Sequence, residues 1–260
     1  MKTRIISGLA MLPLLGVLYL GGYVLAAACF IIAVGGVYEF YKGFHSLGVK
    51  PSFPIGVVSA IGLFAIGVFT DEANFYMFWL FGSVLGSLLY MFKIEERKLE
   101  DAMATIIGIV YIVYFSFHVV LVDRSGDPSI LVWLIIFSAF GTDVFAYFVG
   151  VTIGKHKLCP KISPKKSIEG SIGGILGSVV ICGAFGHFVA PEYFIHCLII
   201  GGLGGVVSQF GDLTASIFKR KMGIKDYGNL IPGHGGVLDR VDSVLFTAPL
   251  VYYYIDLFIL

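Results

Sequence analysis

Four aspartates, Asp143, Asp212, Asp239 and Asp242, interrupt stretches of sequence that are otherwise apolar. If those stretches cross a bilayer, each charge costs at least ~2.5 to 3.5 kcal/mol and needs a partner or a watery cavity. The spacing around Asp212 argues for a cavity. Ser208, Asp212, Ser216 and Lys219 follow one another at intervals of four, four and three, which lines them along one helical face. Asp239 and Asp242 are three apart and share a face, and they open a helix directly after Pro232, Gly233, His234, Gly235 and Gly236. Glycines before a helix expose backbone N–H groups to an anion. Two basic loops accompany the carboxylates: Ser163-Pro164-Lys165-Lys166-Ser167 and Lys219-Arg220-Lys221 with Lys225 and Asp226. Each feature has an ordinary explanation, a helix-to-helix hydrogen bond for an aspartate and the positive-inside rule for a basic loop. Together they suit a metal-bound polyphosphate, in which carboxylates hold divalent cations, cations and Lys/Arg hold phosphate oxygens, and backbone amides complete the cradle.

The elements that must position these residues are set by composition. Hydrophobic residues make up 57% of the 260, and charged residues only 13%, about half the roughly 25% of a soluble domain. With a mean hydropathy of +0.91, the chain reads as all-α and polytopic in the membrane, not as a disordered, collagenous, disulfide-stapled or basic nucleic-acid-binding chain. A span needs about 20 apolar residues. That window predicts about nine, near residues 5–20, 22–41, 55–70, 75–92, 103–122, 130–152, 170–190, 194–217 and 237–259. The first, with Lys2 and Arg4 before it, also resembles a signal peptide with Ala26, Ala27 and Ala28 as a cleavage region; the further spans favour its retention as an anchor.

Charge placement gives an orientation. With the N-terminus cytoplasmic, the even-numbered connections face the cytoplasm, and they carry Lys42 and Lys50, then Lys93, Arg97 and Lys98, then Lys155, Lys157, Lys161, Lys165 and Lys166, then Lys219, Arg220, Lys221 and Lys225. The opposite connections hold Asp71, Glu72, Asp123, Asp127 and Glu192, with Arg124 as their cation. Cys29, Cys159, Cys182 and Cys197 are scattered and read as small hydrophobes, not as a bridge or a metal site. The net charge of +1 exerts no global pull on polyanions, so phosphate binding must be local and nucleic acid is not an expected partner.

Residues 216–242, SIFKRKMGIKDYGNLIPGHGGVLDRVD, resemble the phosphatidate cytidylyltransferase (CDP-diacylglycerol synthase) family. The resemblance is carried by Ser216, Lys219, Arg220, Lys225, Asp226, Pro232, His234, Gly235, Gly236, Asp239, Arg240 and Asp242. Upstream, Ser163-Pro164-Lys165-Lys166 with Glu169-Gly170, and Asp143 with Ala146, Tyr147 and Gly150, are also similar; Ser167 stands where the family often has threonine. The resemblance covers the C-terminal half well and the N-terminal half only as a hydrophobic region. It implies that CTP and phosphatidate give CDP-diacylglycerol and pyrophosphate with Mg²⁺, two cations being expected. It further implies Asp212 and Asp239 as leading metal ligands, with Asp143 beside them, and a catalytic set of these three with Asp242, Lys219 and Arg220. Ser163, Lys165, Lys166, Ser216, Lys225, His234, Gly235, Gly236 and Arg240 become the expected phosphate and substrate contacts. His234 is expected to donate to phosphate or shape the turn, because a phosphate monoester nucleophile is already ionised near pH 7.

The resemblance divides the chain into residues 1–128 for anchoring and lipid access and residues 129–260 for catalysis. It places the protein in the plasma (inner) membrane with its site facing the cytoplasm, and it implies a homodimer. A cation- or proton-coupled secondary transporter is the alternative use of intramembrane aspartates. Against it, no inverted repeat is apparent and lysines crowd the carboxylates. A CDP-alcohol phosphotransferase would need a D-G-x-x-A-R opening that this sequence lacks.

Overall fold

The computed structural model describes residues 13–70, 72–230 and 235–260. The start of the first expected span, Asp71, Pro232, Gly233 and His234 lie outside the described residues. Helices account for nearly all regular structure, as they must where no water is present to satisfy backbone N–H and C=O groups. We label them α1 (Pro13–Leu20), α2 (Gly22–Phe44), α3 (Phe53–Phe69), α4 (Ala73–Tyr90), α5 (Leu99–Gly108), α6 (Phe115–Asp123), α7 (Val132–Ile153), α8 (Ile168–Phe188), α9 (Phe194–Lys221) and α10 (Leu238–Phe258). A π-helical turn, Ile109–Tyr114, joins α5 to α6.

Among the described residues seven helical segments are long and apolar enough to cross a membrane, against the nine expected. Of the other two expected spans, α1 contributes only eight described residues and α3 is a 17-residue apolar helix. The chain is therefore a helical, multi-pass membrane protein. The exception to an all-α architecture is an antiparallel hairpin, β1 (Lys157–Cys159) and β2 (Ser163–Ser167), paired through Lys157↔Ser167 and Cys159↔Ser163. All four cysteines are free thiols, and Cys29, Cys182 and Cys197 are buried.

The chain forms two compact units, one from the described residues up to Leu121 with Lys221–Val241, the other from Val122–Arg220 with Asp242–Leu260. In the first, Phe40, Leu63, Ile109, Ile112 and Phe117 are fully buried. Polar groups at depth are satisfied internally: Tyr41 donates to the Thr105 carbonyl at 2.7 Å, and Trp79 Nε1 to the Ser59 carbonyl at 2.8 Å. Asp101 accepts the N–H groups of Lys50 (2.6 Å) and Lys98 (3.0 Å), which holds the start of α5 against the chain after α2.

In the second unit α7 and α8 pack closely because α8 presents glycine where they meet. A Cβ on Gly174 would fall 2.8 Å from the Thr142 carbonyl oxygen, and one on Gly177 would fall 2.2 Å from Phe145 Cγ. On the other face of α8, Ile172, Leu176 and Val180 repeat every four residues and are exposed, as an apolar stripe toward lipid should be. Ser178 donates to the Gly201 carbonyl at 2.7 Å and ties α8 to α9.

Candidate functional site

The candidate residues fall into two groups, one in each unit. In the second unit the hairpin β1–β2 carries Lys157, Lys165 and Lys166 to the mouth of a pocket of about 410 Å³. The wall from α7 contributes Asp143, Tyr147 and Gly150, and the floor is Ser171 and Gln209. Ser167 closes the hairpin and starts α8 by accepting the Gly170 N–H at 3.1 Å, an N-cap contact. Glu169 gathers the base of the hairpin, accepting the N–H groups of Lys155 (3.0 Å) and His156 (3.2 Å) and pairing with His156 Nδ1 at 2.6 Å.

The polar stripe expected on α9 is present. Ser208 is fully buried, and its hydroxyl has no hydrogen-bond partner among the described residues. Asp212, Ser216 and Lys219 are half-buried further along the helix. Lys166 forms an ion pair with Asp212, both side chains 26% exposed. Asp242 is buried; its Oδ1 accepts the Ser243 N–H at 2.8 Å, and the Ser243 hydroxyl donates to Asp143 Oδ2 at 3.5 Å. Asp212, Asp143 and Lys219 all lie within electrostatic reach of Asp242. Three carboxylates and two ammonium groups thus share one neighbourhood. Arg220 donates from Nε to the Ile162 carbonyl at 3.3 Å, at the hairpin turn that also holds half-buried Ser163.

Gln209 and its partner Ser171 are absent from the sequence-based set. Gln209 accepts the Ser171 hydroxyl at 2.5 Å and donates to the carbonyls of Ser171 (3.2 Å) and Gly205 (3.0 Å). That locks α8 to α9 beneath the pocket. An uncharged amide three residues before Asp212 in an apolar run was the available signal, because such a group has to find partners at depth.

In the first unit the described residues 222–230 and 235–237 lie between α9 and α10. Lys225 and Asp226 are exposed, whereas Tyr227 is buried with its ring 6.1 Å from that of Phe40. Asp239 is buried, and its Oδ2 accepts the N–H groups of Tyr227 (2.8 Å) and Gly236 (3.0 Å). Gly235 has φ +89° and a Cβ there would fall 2.9 Å from Asp239 Oδ2, so only glycine suits the turn. Arg240 is half-buried and its Nε has no hydrogen-bond partner among the described residues. A residue of α2, Glu39, accepts the N–H groups of Val237 (3.0 Å) and Leu238 (2.9 Å). A lone carboxylate in the second apolar run was its signal in the sequence.

Among the described residues no three Asp, Glu, His or Cys side chains are grouped so that they could hold a metal ion, and the expected ligands Asp143, Asp212 and Asp239 are divided between the two units. Mg²⁺ does not need a closed protein cage, since it keeps several waters and takes one or two carboxylates together with substrate phosphates. The donor chemistry fits that mode. Asp212 Oδ2 is cut off from solvent and already has an ammonium cation against it, with Asp143 and Asp242 nearby. Lysines at the pocket mouth supply counter-charges for a phosphorylated ligand.

Comparison with known proteins identifies the family. The chain is 34% identical to a phosphatidate cytidylyltransferase of Bacillus subtilis over 272 residues, covering 99% of this chain and 98% of the relative. A phosphatidate cytidylyltransferase of Synechocystis sp. is 32% identical over 285 residues, covering 98% and 96%. One from Staphylococcus saprophyticus is 32% identical over 267 residues, covering 96% and 97%. The pattern of the cytidylyltransferase family matches residues 2–258, and on that match, which runs through both groups of site residues, the chain belongs to the cytidylyltransferase family.

Proposed function

We propose that this protein transfers the cytidylyl group of CTP to phosphatidate, giving CDP-diacylglycerol and pyrophosphate at the membrane surface. The observation that carries the reading is the lysine-mouthed pocket beside the carboxylate group of the second unit, in a chain that matches enzymes of that name along nearly its whole length. In the reaction a phosphatidate oxygen bonds to the α-phosphorus of CTP, and the bond from that phosphorus to the β-phosphate bridging oxygen breaks. The attacking monoester has a second pKa of about 6, so it arrives ionised and needs no strong base.

Asp212 and Asp143 of the second unit would hold Mg²⁺ together with substrate phosphates; Asp239, in the first unit, is proposed as a ligand on the family resemblance alone, and a second cation fits the same chemistry. When bound, the metal supplies neutralising charge for the phosphate oxygens. The chain's own residues bind and orient. Lys165, Lys166, Lys219, Arg220 and Arg240 supply charge, while Ser163, Ser216, Lys225, His234 and Gly235 supply hydrogen bonds and Gly236, whose N–H is held by Asp239, shapes the turn. The Lys166 ammonium, paired with Asp212, would supply positive charge to an arriving phosphate. Residues 129–260 carry the chemistry and residues 1–128 the anchoring and lipid access, in a homodimer of the plasma membrane with nine spans.

Purified protein incubated with Mg²⁺, phosphatidate and CTP labelled in its α-phosphate is expected to move label into the lipid fraction. Label that stays aqueous at all times would overturn the reading. The family match gives the transporter alternative no support. The positive-inside rule supports a cytoplasmic position for the hairpin. A cysteine introduced at Lys165 is expected to react with an impermeant maleimide in inverted vesicles and not in intact cells; the reverse pattern would sink that orientation.

A further inference from the structure

We propose that Glu39, a residue of the membrane-anchoring half, is a positioning residue for the loop that carries Asp239; the inference rests on the cytidylyltransferase reading above. Glu39 is only 6% exposed, and no described lysine, arginine or histidine pairs with it. A buried carboxylate must still be compensated. The compensation comes from backbone: the N–H groups of Val237 and Leu238, at 3.0 and 2.9 Å, where the first turn of α10 adds the positive end of its dipole.

The fit is close on two further sides. A Cβ on Gly228 would fall 2.4 Å from Glu39 Oε1, and one on Gly236 would fall 2.3 Å from Glu39 Oε2. The loop backbone therefore wraps the carboxylate at two points where only glycine leaves room. Asp239 interlocks with the same stretch through the N–H groups of Tyr227 and Gly236. Glu39 holds residues 237 and 238, and the amide of the residue before them holds the Asp239 carboxylate. Displacing the first contact shifts the second.

A local cap from a serine or asparagine beside the helix would satisfy the same amides. Reaching back to α2 fastens the loop to a helix 198 residues earlier in the chain, a use that secures the direction of Asp239 and Arg240 as well as the helix end. A misplacement of about 1 Å at a reacting group can cost on the order of 10²-fold in rate.

Glu39→Gln tests this, since it keeps the size and removes the charge, and its amide NH₂ must face a backbone N–H donor. The full-length variant and the parent protein are compared by hydrogen exchange and by steady-state kinetics with CTP and phosphatidate. The expected result is exchange at least about tenfold faster in peptides covering 226–241 and unchanged in α2 and α8. Turnover number should fall about 10- to 100-fold, with both KM values within a factor of about three of the parent. Gly236→Ala, which intrudes on the carboxylate from the other side, should reproduce that pattern. Unchanged exchange in the loop would overturn the proposal. So would faster exchange spread through α2, which marks a merely structural residue, or a loosened loop with normal turnover. If the parent protein itself transfers no label from CTP to lipid, the functional reading fails, while the exchange measurement still decides whether Glu39 fastens the loop.

Discussion

Asp212→Asn is expected to lower turnover by about 10²- to 10³-fold while leaving the protein inserted and folded. Asparagine fills the same volume in α9 and retains one acceptor oxygen, so what it removes is charge. That charge has two uses in the structure. It neutralises the Lys166 ammonium, and with Asp143 it is one of two carboxylates beside Asp242. Both side chains keep 26% exposure, so the Lys166 ammonium left behind can turn toward water, and an unfolding scan separates any loss of stability from loss of chemistry. Loss of turnover would therefore report on the chemistry. The check is the rate at saturating CTP and phosphatidate over a Mg²⁺ titration, beside a thermal unfolding scan. Near-normal turnover in a folded variant would refute the assignment of Asp212 as a metal ligand. A companion, Lys166→Met, removes the internal counter-ion; in that variant half-maximal Mg²⁺ activation is expected at lower concentration if the ammonium and the metal share the carboxylate.

The contrast between Asp212 and its partner shows where sequence reasoning stops. Apolar length locates spans because the thickness of the bilayer imposes it, and the segments near residues 75–92, 103–122, 130–152, 170–190, 194–217 and 237–259 each overlap a helix able to cross. The stripe Ser208, Asp212, Ser216 and Lys219 was legible because helical periodicity is local. The pairing of Lys166 with Asp212 was not, since it depends on how a hairpin folds over α9, 46 residues along the chain. The hairpin itself left little trace. Ser163-Pro164-Lys165-Lys166-Ser167 lacks the alternation of apolar and polar residues that marks a strand, and its pairing comes with the base held by Glu169. Gln209 and Glu39 were passed over for a shared reason. Each is a single polar residue in an apolar run, and its importance depends on partners in other elements: Ser171 for one, the amides of Val237 and Leu238 for the other. The GHGG turn was visible as a glycine-rich helix start, but the use of Gly236 as clearance for a carboxylate from α2 requires the packed structure.

Asp239 allows charge to be separated from architecture, and the pair Asp239→Asn and Asp239→Ala should behave differently. The Oδ2 atom of Asp239 accepts two backbone N–H groups, from Tyr227 and Gly236. Asparagine can direct its carbonyl oxygen at the same two amides, so the loop is expected to keep its shape while the negative charge disappears. Alanine leaves both buried amides without that acceptor, at a cost of about 1 to 3 kcal/mol for each, and the loop is expected to loosen. If Asp239 serves catalysis through its charge, both variants lose about 10²- to 10³-fold in turnover, yet only the alanine variant shows faster hydrogen exchange across residues 226–241. If Asp239 serves only as a loop anchor, the asparagine variant stays active and the alanine variant fails. Near-normal turnover of purified Asp239→Asn would thus remove Asp239 from the metal ligands and leave it, like Glu39, a residue that holds the start of α10 in place.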